Sequence, residues 1–164
     1  MAKKKRKNSR RKGCDFERKI AKDFTSWCGF PCKRTPMSGG WSKTGDVTPR
    51  EPEQMVDFIF SPELKNQEGW SFSSSFLGDS VSKQIKKWWS QCSADAKESG
   101  RIPLLIFTKS YDRIYCMSRA SFFNKVGLKA VAKKVVMIPN FRIFLWEDLL
   151  AIPYEEIKMR VRKI

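Results

Sequence analysis

The chain has 164 residues, 41% of them hydrophobic, which is enough to bury the core of one folded domain. Lys and Arg number 33 against 17 Asp and Glu, so the formal net charge is +16. Histidine is absent, which excludes His-dependent nucleases, Ser-His-Asp and Cys-His hydrolases and His-ligated zinc sites.

The positive charge extends beyond the N-terminus. Eight cationic residues lie within residues 1–12, and removing their charge still leaves +8 on the rest of the chain. Such a field attracts polyanions, so nucleic acid is the first candidate partner and an anionic membrane surface the second. There is no apolar run near 18 residues and no apolar segment after the basic N-terminus, so we expect a cytoplasmic protein that is neither membrane-spanning nor secreted.

Residues 1–13 form a basic run that ends in Gly13. Because like charges repel, we expect a disordered arm here, followed by a single domain over residues 14–164. Residues 3–7 also resemble a nuclear import signal. An arm that contacts phosphate groups is the favoured interpretation, and both remain open from the sequence.

Apolar residues at helical spacing predict an amphipathic helix over residues 14–28, which Gly29 would end. Residues 30–50 are rich in Pro and Gly, which predicts loops with a short strand around residues 32–35. The apolar face of the helix consists of Phe16, Ile20, Phe24 and Trp27.

The rest of the chain alternates strand-like and helix-like segments. Pro62 interrupts the first strand-like region, and proline in a strand marks an edge, a bulge or a junction. The predicted strands are residues 55–60, 63–66, 102–108, 114–117, 135–138 and 141–144. The predicted helices are residues 80–98, 122–132, 147–152 and 155–164.

The most informative pattern is Gly45-Asp46 followed downstream by Glu63-Leu64-Lys65. Side chains alternate faces along a strand, so Glu63 and Lys65 point to one side and Leu64 points into the core. A carboxylate beside an ammonium group, with a second carboxylate from a neighbouring strand, can hold Mg²⁺ and activate a water. In a strongly basic protein this chemistry indicates cleavage of phosphodiesters.

Glu-x-Lys by itself is a weak signal, and an ordinary solvated strand face is the competing interpretation. Glu-x-Lys also occurs at residues 17–19 (as Glu-Arg-Lys) and 156–158, and Asp-x-Lys at 95–97. Those copies lie in predicted helices, where positions i and i+2 do not face each other. Only the copy at 63–65 follows a strand-like run.

Two residues could supply the second carboxylate. Asp57 has the same parity as Glu63 and Lys65, but six residues of extended strand span roughly 20 Å. Two carboxylates that far apart cannot share a cation with bonds of about 2.1 Å. Asp46 has room to lie on a separate strand, so it is the favoured partner.

Five blocks of sequence occur in a specific order and spacing: Phe16-Glu17-Arg18, residues 34–40, Gly45-Asp46, residues 58–65 and Glu68-Gly69-Trp70. Together they resemble the Holliday junction resolvases of archaeal and phage type, which belong to the PD-(D/E)xK nuclease superfamily. The resemblance covers roughly residues 13–118. Residues 119–164 do not contribute to it and are interpreted as a C-terminal elaboration.

The resemblance implies a restriction-endonuclease-like α/β (α+β) fold, with a mixed central β-sheet flanked by helices. It implies Mg²⁺, with Mn²⁺ able to substitute, bound by Asp46, Glu63 and the backbone carbonyl of Leu64. Lys65 would orient or polarise the attacking water. No small-molecule cofactor is expected.

Three further residues receive roles by resemblance. Glu17 would complete the acidic cluster as an additional candidate metal ligand. Ser38 would lie near the scissile phosphate, and Gln91 would be a polar residue that the later helix positions. One departure is Pro62, since the strand normally donates a backbone hydrogen bond there.

The implied activity is a metal-dependent endonuclease that resolves four-way DNA junctions by paired nicks, as a homodimer. A phage origin would place it in the host cytoplasm. The substrate would be read through shape and phosphates. Trp41, Trp70, Trp88 and Trp89 are candidates for stacking on bases, although packing is favoured for the last two. The candidate DNA-binding residues are Lys33, Arg34, Lys43, Arg50, Lys83, Lys86, Lys87 and Gln91.

Two other functions fit the sequence. A PD-(D/E)xK endonuclease acting on flap, nicked or duplex DNA would keep the same site. A non-catalytic DNA-binding accessory protein would explain the charge but not the association of Asp46, Glu63 and Lys65.

Overall fold

Helices and short strands alternate along the chain, and the computed structural model describes residues 2–35, 45–72 and 82–162. The strands are β1 (Cys32–Arg34), β2 (Val47–Pro49), β3 (Phe60–Asn66), β4 (Ile102–Thr108), β5 (Tyr115–Arg119), β6 (Val136–Ile138) and β7 (Phe141–Leu145). The helices are α1 (Ala2–Cys28), α2 (Lys83–Ser99), α3 (Ala120–Lys125), α4 (Leu128–Val131), α5 (Trp146–Leu150) and α6 (Tyr154–Arg162), with a short 3-10 helix at Pro52–Val56.

A five-stranded mixed sheet organises these elements, in the order β3-β4-β5-β7-β6. Strands β3 and β4 are parallel, with Glu63 opposite Leu105 and Lys65 opposite Phe107, and the other neighbours are antiparallel. Strands β1 and β2 form a separate antiparallel pair. This mixed sheet flanked by helices confirms the predicted restriction-endonuclease-like α+β class.

Each face of the sheet has its own hydrophobic core. Leu104 and Ile106 of β4 belong to the cluster that α1 and the C-terminal helices cover. Leu105 and Phe107, one position out of phase, belong to the cluster beneath α2. Strand β4 is therefore apolar on both faces, as expected for a strand covered on two sides.

Helix α2 shows why these segments adopt their structures. The Ser82 hydroxyl accepts a hydrogen bond from the Ile85 backbone N–H, at 3.4 Å, which caps the N-terminus. Gly100 ends the helix in the left-handed region, at φ +67°. The predicted helix over residues 80–98 is confirmed within the described part, and β4 has the predicted bounds.

The N-terminal region departs from the prediction of a disordered arm over residues 1–13. Helix α1 begins at Ala2 and runs without interruption through this segment to Cys28. Lys and Arg are good helix formers, and no proline stands in the run, so helical propensity prevails over charge repulsion here. The predicted end at Gly29, whose φ is +81°, is confirmed.

Two further segments differ from the sequence interpretation. Residues 55–60 were predicted as a strand, but Pro52 begins a 3-10 helix there and β3 starts only at Phe60. The predicted helix over residues 122–132 is broken at Gly127, whose φ of +83° separates α3 from α4.

Residues 119–164 contribute directly to the central sheet. Strand β7 pairs with β5 and with β6, so it lies within the sheet rather than outside it. Ile157 of α6 is fully buried in the same cluster as α1. Among the described helices, none is long and apolar enough to cross a membrane.

We expect Phe24→Ala to destabilise the fold by about 3–5 kcal/mol. The Phe24 ring is fully buried and lies 5.3 Å, centroid to centroid, from both Phe58 and Trp146, so truncation leaves a cavity at the junction of α1, β3 and α5. Urea unfolding measures the change. Met137→Ala is the control, since Met137 is 70% exposed and should change stability by less than about 0.5 kcal/mol.

Candidate active site

Strand β3 has one open edge, and Pro62 lies on it. In a strand, the N–H and C=O of one residue point to the same side. The Pro62 carbonyl accepts a hydrogen bond from the Asp46 backbone N–H, at 2.7 Å, on the side away from β4. The missing N–H of Pro62 therefore costs no bond to β4, which explains how a proline fits in this strand.

Asp46 is held against this edge by its backbone and its side chain. Its Oδ2 accepts a hydrogen bond from the Leu64 backbone N–H, at 2.7 Å. Its own carbonyl accepts from the Thr35 N–H, at 2.8 Å. Asp46 immediately precedes β2, so the carboxylate reaches β3 from a separate strand, as the sequence favoured over Asp57.

Asp57 lies elsewhere. Its carboxylate is 3.3 Å from Lys158 and 3.6 Å from Arg162 of α6, both measured from Oδ1. It serves as an ion-pair partner for the last helix rather than as a neighbour of Glu63.

Glu63 and Lys65 lie on the face of β3 that α2 covers, while Leu64 packs in the opposite core. The Lys65 Nζ is 2.6 Å from Glu63 Oε1. Glu63 is buried, with 3% exposure, and the Lys65 side chain is 19% exposed. A close ion pair is therefore withdrawn from solvent at the edge of the sheet.

Both carboxyl groups at this edge have raised pKa values, so their charged forms are disfavoured. Burial, then the charge of Glu63, raises the pKa of Asp46 to about 7, against the opposing effects of the Leu64 N–H and Lys65. Burial also raises the pKa of Glu63, although the hydrogen bond and charge of Lys65 oppose the shift. At neutral pH the site therefore binds a proton more readily than two ordinary carboxylates would.

Glu17 adds a third carboxylate from α1. Its Oε2 accepts a hydrogen bond from Arg34 Nε of β1, at 2.9 Å. Its charge is among the causes that raise the pKa of both Asp46 and Glu63. The structure thus brings Glu17 within electrostatic range of the pair.

Asp95 is a neighbour of the site that the sequence interpretation missed. It lies on α2, and its charge raises the pKa of Glu63. Cys92, one turn earlier, contacts the Ser61 carbonyl of β3 at 3.7 Å. The sequence contained a signal for this position. Asp95 follows Cys92 by three residues, and that spacing places both on the same face of an amphipathic helix. Gln91, predicted to act from this helix, is exposed instead.

Thr35 and Gly45 lie in blocks that the sequence analysis singled out, but their structural role at the site was not predicted. The Thr35 hydroxyl donates to the Gly45 carbonyl, at 2.7 Å, and its N–H binds Asp46. Gly45 has a φ of +88° and lies directly against Pro62. Together they fix the approach of Asp46 to β3.

The remaining predicted residues fall into three groups. Ser38, Lys43 and Trp41 lie outside the described residues. Trp70, Trp88 and Trp89 are buried at 3–8% exposure, so the predicted packing role of the last two is confirmed and Trp70 is also unavailable for stacking on bases. The exposed cations among the DNA-binding candidates are Lys33, Arg50, Lys83, Lys86 and Lys87.

The donor set at the edge of β3 fits a divalent cation of the Mg²⁺ type. Across the described ranges, no cluster of three or more His, Cys, Asp or Glu side chains could hold a metal. Mg²⁺ needs only one or two carboxylates, however, and keeps several waters. Asp46 and Glu63 supply two carboxylates, and the Leu64 carbonyl faces the open edge with the Leu64 N–H. A cation there would stabilise the charged forms of both carboxylates, which burial and then neighbouring negative charges disfavour.

We expect Gly45→Ala to cost about 2–4 kcal/mol and to displace Asp46. A Cβ on Gly45 would lie 2.7 Å from Pro62 N and 2.8 Å from Pro62 Cδ, and closer still to the Pro62 carbonyl oxygen. Chemical unfolding measures the loss of stability. Gly29→Ala is the matched control, because Gly29 has φ +81° but no atom within 4 Å of a new Cβ. Equal costs for the two variants would contradict the close-packing explanation.

In the absence of divalent metal, we expect Asp46→Asn to raise stability by roughly 1–2 kcal/mol at pH 8. The Asp46 pKa is about 7 in the folded protein and ordinarily about 4, so the folded state binds the proton more tightly. The stability that protonated Asp46 contributes is complete below pH 4 and is lost as the pH rises through 7. Asn is neutral at every pH, so the stability gained by Asp46→Asn should vanish near pH 4, where Asp46 is itself protonated.

Unfolding curves at pH 4, 6 and 8 in EDTA test this dependence. Asp57→Asn is the control, because it removes a carboxylate that is paired with Lys158 and should give no gain at pH 8. A pH-independent difference between wild type and Asp46→Asn would contradict the assignment.

Comparison with known proteins gives the family. A family model described as "phage putative PDDEXK endonuclease" matches residues 8–155. Protein D14 of Escherichia phage T5 is 26% identical over 107 residues, which cover 62% of this chain and 65% of that protein. The match thus spans slightly less than two thirds of that relative's length. No solved structure matches the chain.

The matched residues include the whole edge of β3 and the elements that meet it, together with the C-terminal strands of the sheet. They therefore contain Asp46, Glu63 and Lys65 in the arrangement described above. On this basis the chain belongs to the PD-(D/E)xK endonuclease family of phages.

Proposed function

We propose that this protein is a metal-dependent DNA endonuclease that resolves four-way junctions by paired nicks. The observation that carries the proposal is the hydrogen bond between Asp46 and the Leu64 N–H, which places a carboxylate beside the Glu63–Lys65 pair. The family supports a nuclease on DNA, and the four-way junction is the more specific part of the proposal.

Asp46, Glu63 and the Leu64 carbonyl would hold Mg²⁺, with Mn²⁺ able to substitute. When bound, the cation would polarise a phosphoryl oxygen and lower the pKa of a bound water. The raised pKa values of Asp46 and Glu63 support this role, because both carboxylates would be stabilised in their charged form by a cation.

Lys65 would stabilise the negative charge that develops on the phosphate during attack. The contact with Glu63 orients its ammonium group on the same face of β3, where burial strengthens its field. Glu17 would add negative potential and remain a candidate additional ligand. Glu17 is positioned by its ion pair with Arg34. The main role of Arg34 would therefore be to hold Glu17 in place, and contact with DNA would be secondary. Ser38 keeps its proposed place near the scissile phosphate.

The substrate would be bound through its phosphates. The net charge of +16 and the exposed cations of β1 and α2 support binding to a polyanion. A four-way junction is nearly two-fold symmetric, so a homodimer would present two sites to two strands. Paired nicks would follow from that symmetry.

We expect wild type to cut a labelled four-way junction with Mg²⁺ and to lose cleavage in EDTA. Glu63→Ala should reduce the cleavage rate about 100-fold or more, because it removes a proposed ligand and the anchor of Lys65. Denaturing gels of all four labelled strands measure the rate and the symmetry of the nicks. Asp57→Ala is the matched control, since it removes a carboxylate from the same region but outside the site, and its rate should stay near that of wild type.

Other outcomes would change the proposal in defined ways. Equal cutting of a linear duplex would replace junction resolution with general or flap-directed cleavage at the same site. Tight binding without cutting in either Mg²⁺ or Mn²⁺ would favour a non-catalytic DNA-binding protein.

A further inference from the structure

The turn between β4 and β5 carries an aromatic side chain in an unfavourable environment. Tyr111 is fully exposed, at 109% of the reference area, and its φ is +59°. Bulky residues rarely adopt this left-handed region, which glycine enters without strain. Within the described part of the chain, the Tyr111 side chain has no hydrogen bond and no ring contact.

Strain of this kind persists only where the surroundings hold the backbone firmly. The turn is closed by the Asp112 N–H, which donates to the Lys109 carbonyl at 3.2 Å. The Asp112 carboxylate accepts from the Arg113 N–H and from the Tyr115 hydroxyl, both at 2.8 Å. Tyr111 is thus presented by a rigid turn, although the fold itself does not use its ring.

The turn is also fastened to the strand that carries the candidate active site. Glu68, two residues beyond β3, accepts from the Ser110 N–H at 2.9 Å. The same carboxylate is 2.8 Å from Lys12 Nζ, and Lys12 also contacts the Ser110 hydroxyl. The basic helix α1, the end of β3 and the turn therefore meet at one edge of the molecule.

The Tyr111 turn follows the strand that pairs with the site-bearing part of β3. Lys65 pairs with Phe107 across the two strands, and Phe107 precedes Tyr111 by four residues. An extended chain limits the separation of the Phe107 and Tyr111 Cα atoms to about 14 Å. The turn therefore lies toward the end of β3 that carries Lys65.

The turn also contains or touches three cationic side chains. Lys109 and Arg113 lie in the turn and Lys12 lies against it, and they pair with Asp112, Glu147 and Glu68 respectively. An exposed aromatic ring on a firmly held backbone can stack on unpaired bases. In continuous duplex every base is already stacked, whereas a branch point exposes base faces.

We propose that the Tyr111 ring stacks on an exposed base at the branch point of the DNA substrate. This inference rests on the proposed function and explains how the protein would prefer branched DNA.

Fluorescence anisotropy in EDTA, with four-way junctions and linear duplexes of the same arm sequences, tests the inference without cleavage. Tyr111→Ala should weaken junction binding about tenfold and leave duplex binding within about twofold. Tyr111→Phe should retain the preference.

Two further variants separate stacking from a structural role. Tyr111→Gly relieves the left-handed strain, so it should raise Tm by about 2 °C while it loses the same junction affinity as Tyr111→Ala. Met137→Ala removes an exposed apolar side chain from the far edge strand β6 and should change neither junction nor duplex affinity.

A fluorescent base analogue gives a direct measurement of stacking. The fluorescence of 2-aminopurine is quenched when the base is stacked. With 2-aminopurine at the branch point, the fluorescence should therefore be higher with Tyr111→Ala than with wild type.

The outcomes distinguish this inference from the proposed function. A junction preference that survives in Tyr111→Ala overturns the role of Tyr111 alone. Equal weakening of junction and duplex binding also overturns it, since a general contact would then explain the loss. If wild type shows no preference for branched DNA, both the proposed substrate and this inference are overturned. The proposed nuclease activity is then still tested by the cleavage assay with Glu63→Ala.

Discussion

The site depends on one backbone arrangement, the docking of Asp46 against the open edge of β3. Its N–H binds the Pro62 carbonyl and its carboxylate binds the Leu64 N–H, so the residue acts as a short extra strand. Proline at position 62 is compatible because it has no N–H to leave unpaired on that edge. Gly45 is equally necessary, because any Cβ there would collide with Pro62. The position of Asp46 beside Glu63 follows from these contacts with the edge of β3.

The charge at this site is opposite in sign to the net charge of the molecule. A chain with a net charge of +16 concentrates Asp46, Glu63, Glu17 and Asp95 around one edge of its sheet. Burial, and then the neighbouring negative charges, disfavour the charged forms of Asp46 and Glu63 and raise the pKa of each carboxyl group. Lys65 offsets only part of it. This arrangement fits the proposed binding of a cation at the site and of a polyanion on the surrounding positive surface.

Local chemistry made much of the fold predictable. Gly29 and Gly100 ended helices as expected because each takes a left-handed conformation that other residues avoid. The apolar run of β4 was recognisable because both of its faces are covered. Prediction failed where neighbouring residues decided the outcome. Pro52 began a 3-10 helix in a segment with strand-like composition, and the basic run before Gly13 continued α1.

The sequence alone determined the strand parity that puts Glu63 and Lys65 on one face, and chain geometry sufficed to favour Asp46 over Asp57. Both follow from distances and alternation along a single segment, which need no knowledge of the fold. Only the tertiary structure decided that the charge of Asp95 acts on Glu63, and that the Tyr111 turn is hydrogen-bonded to Glu68 just beyond β3. Those contacts join residues far apart in the chain, and their geometry depends on how α2 packs on the sheet and how the strands end.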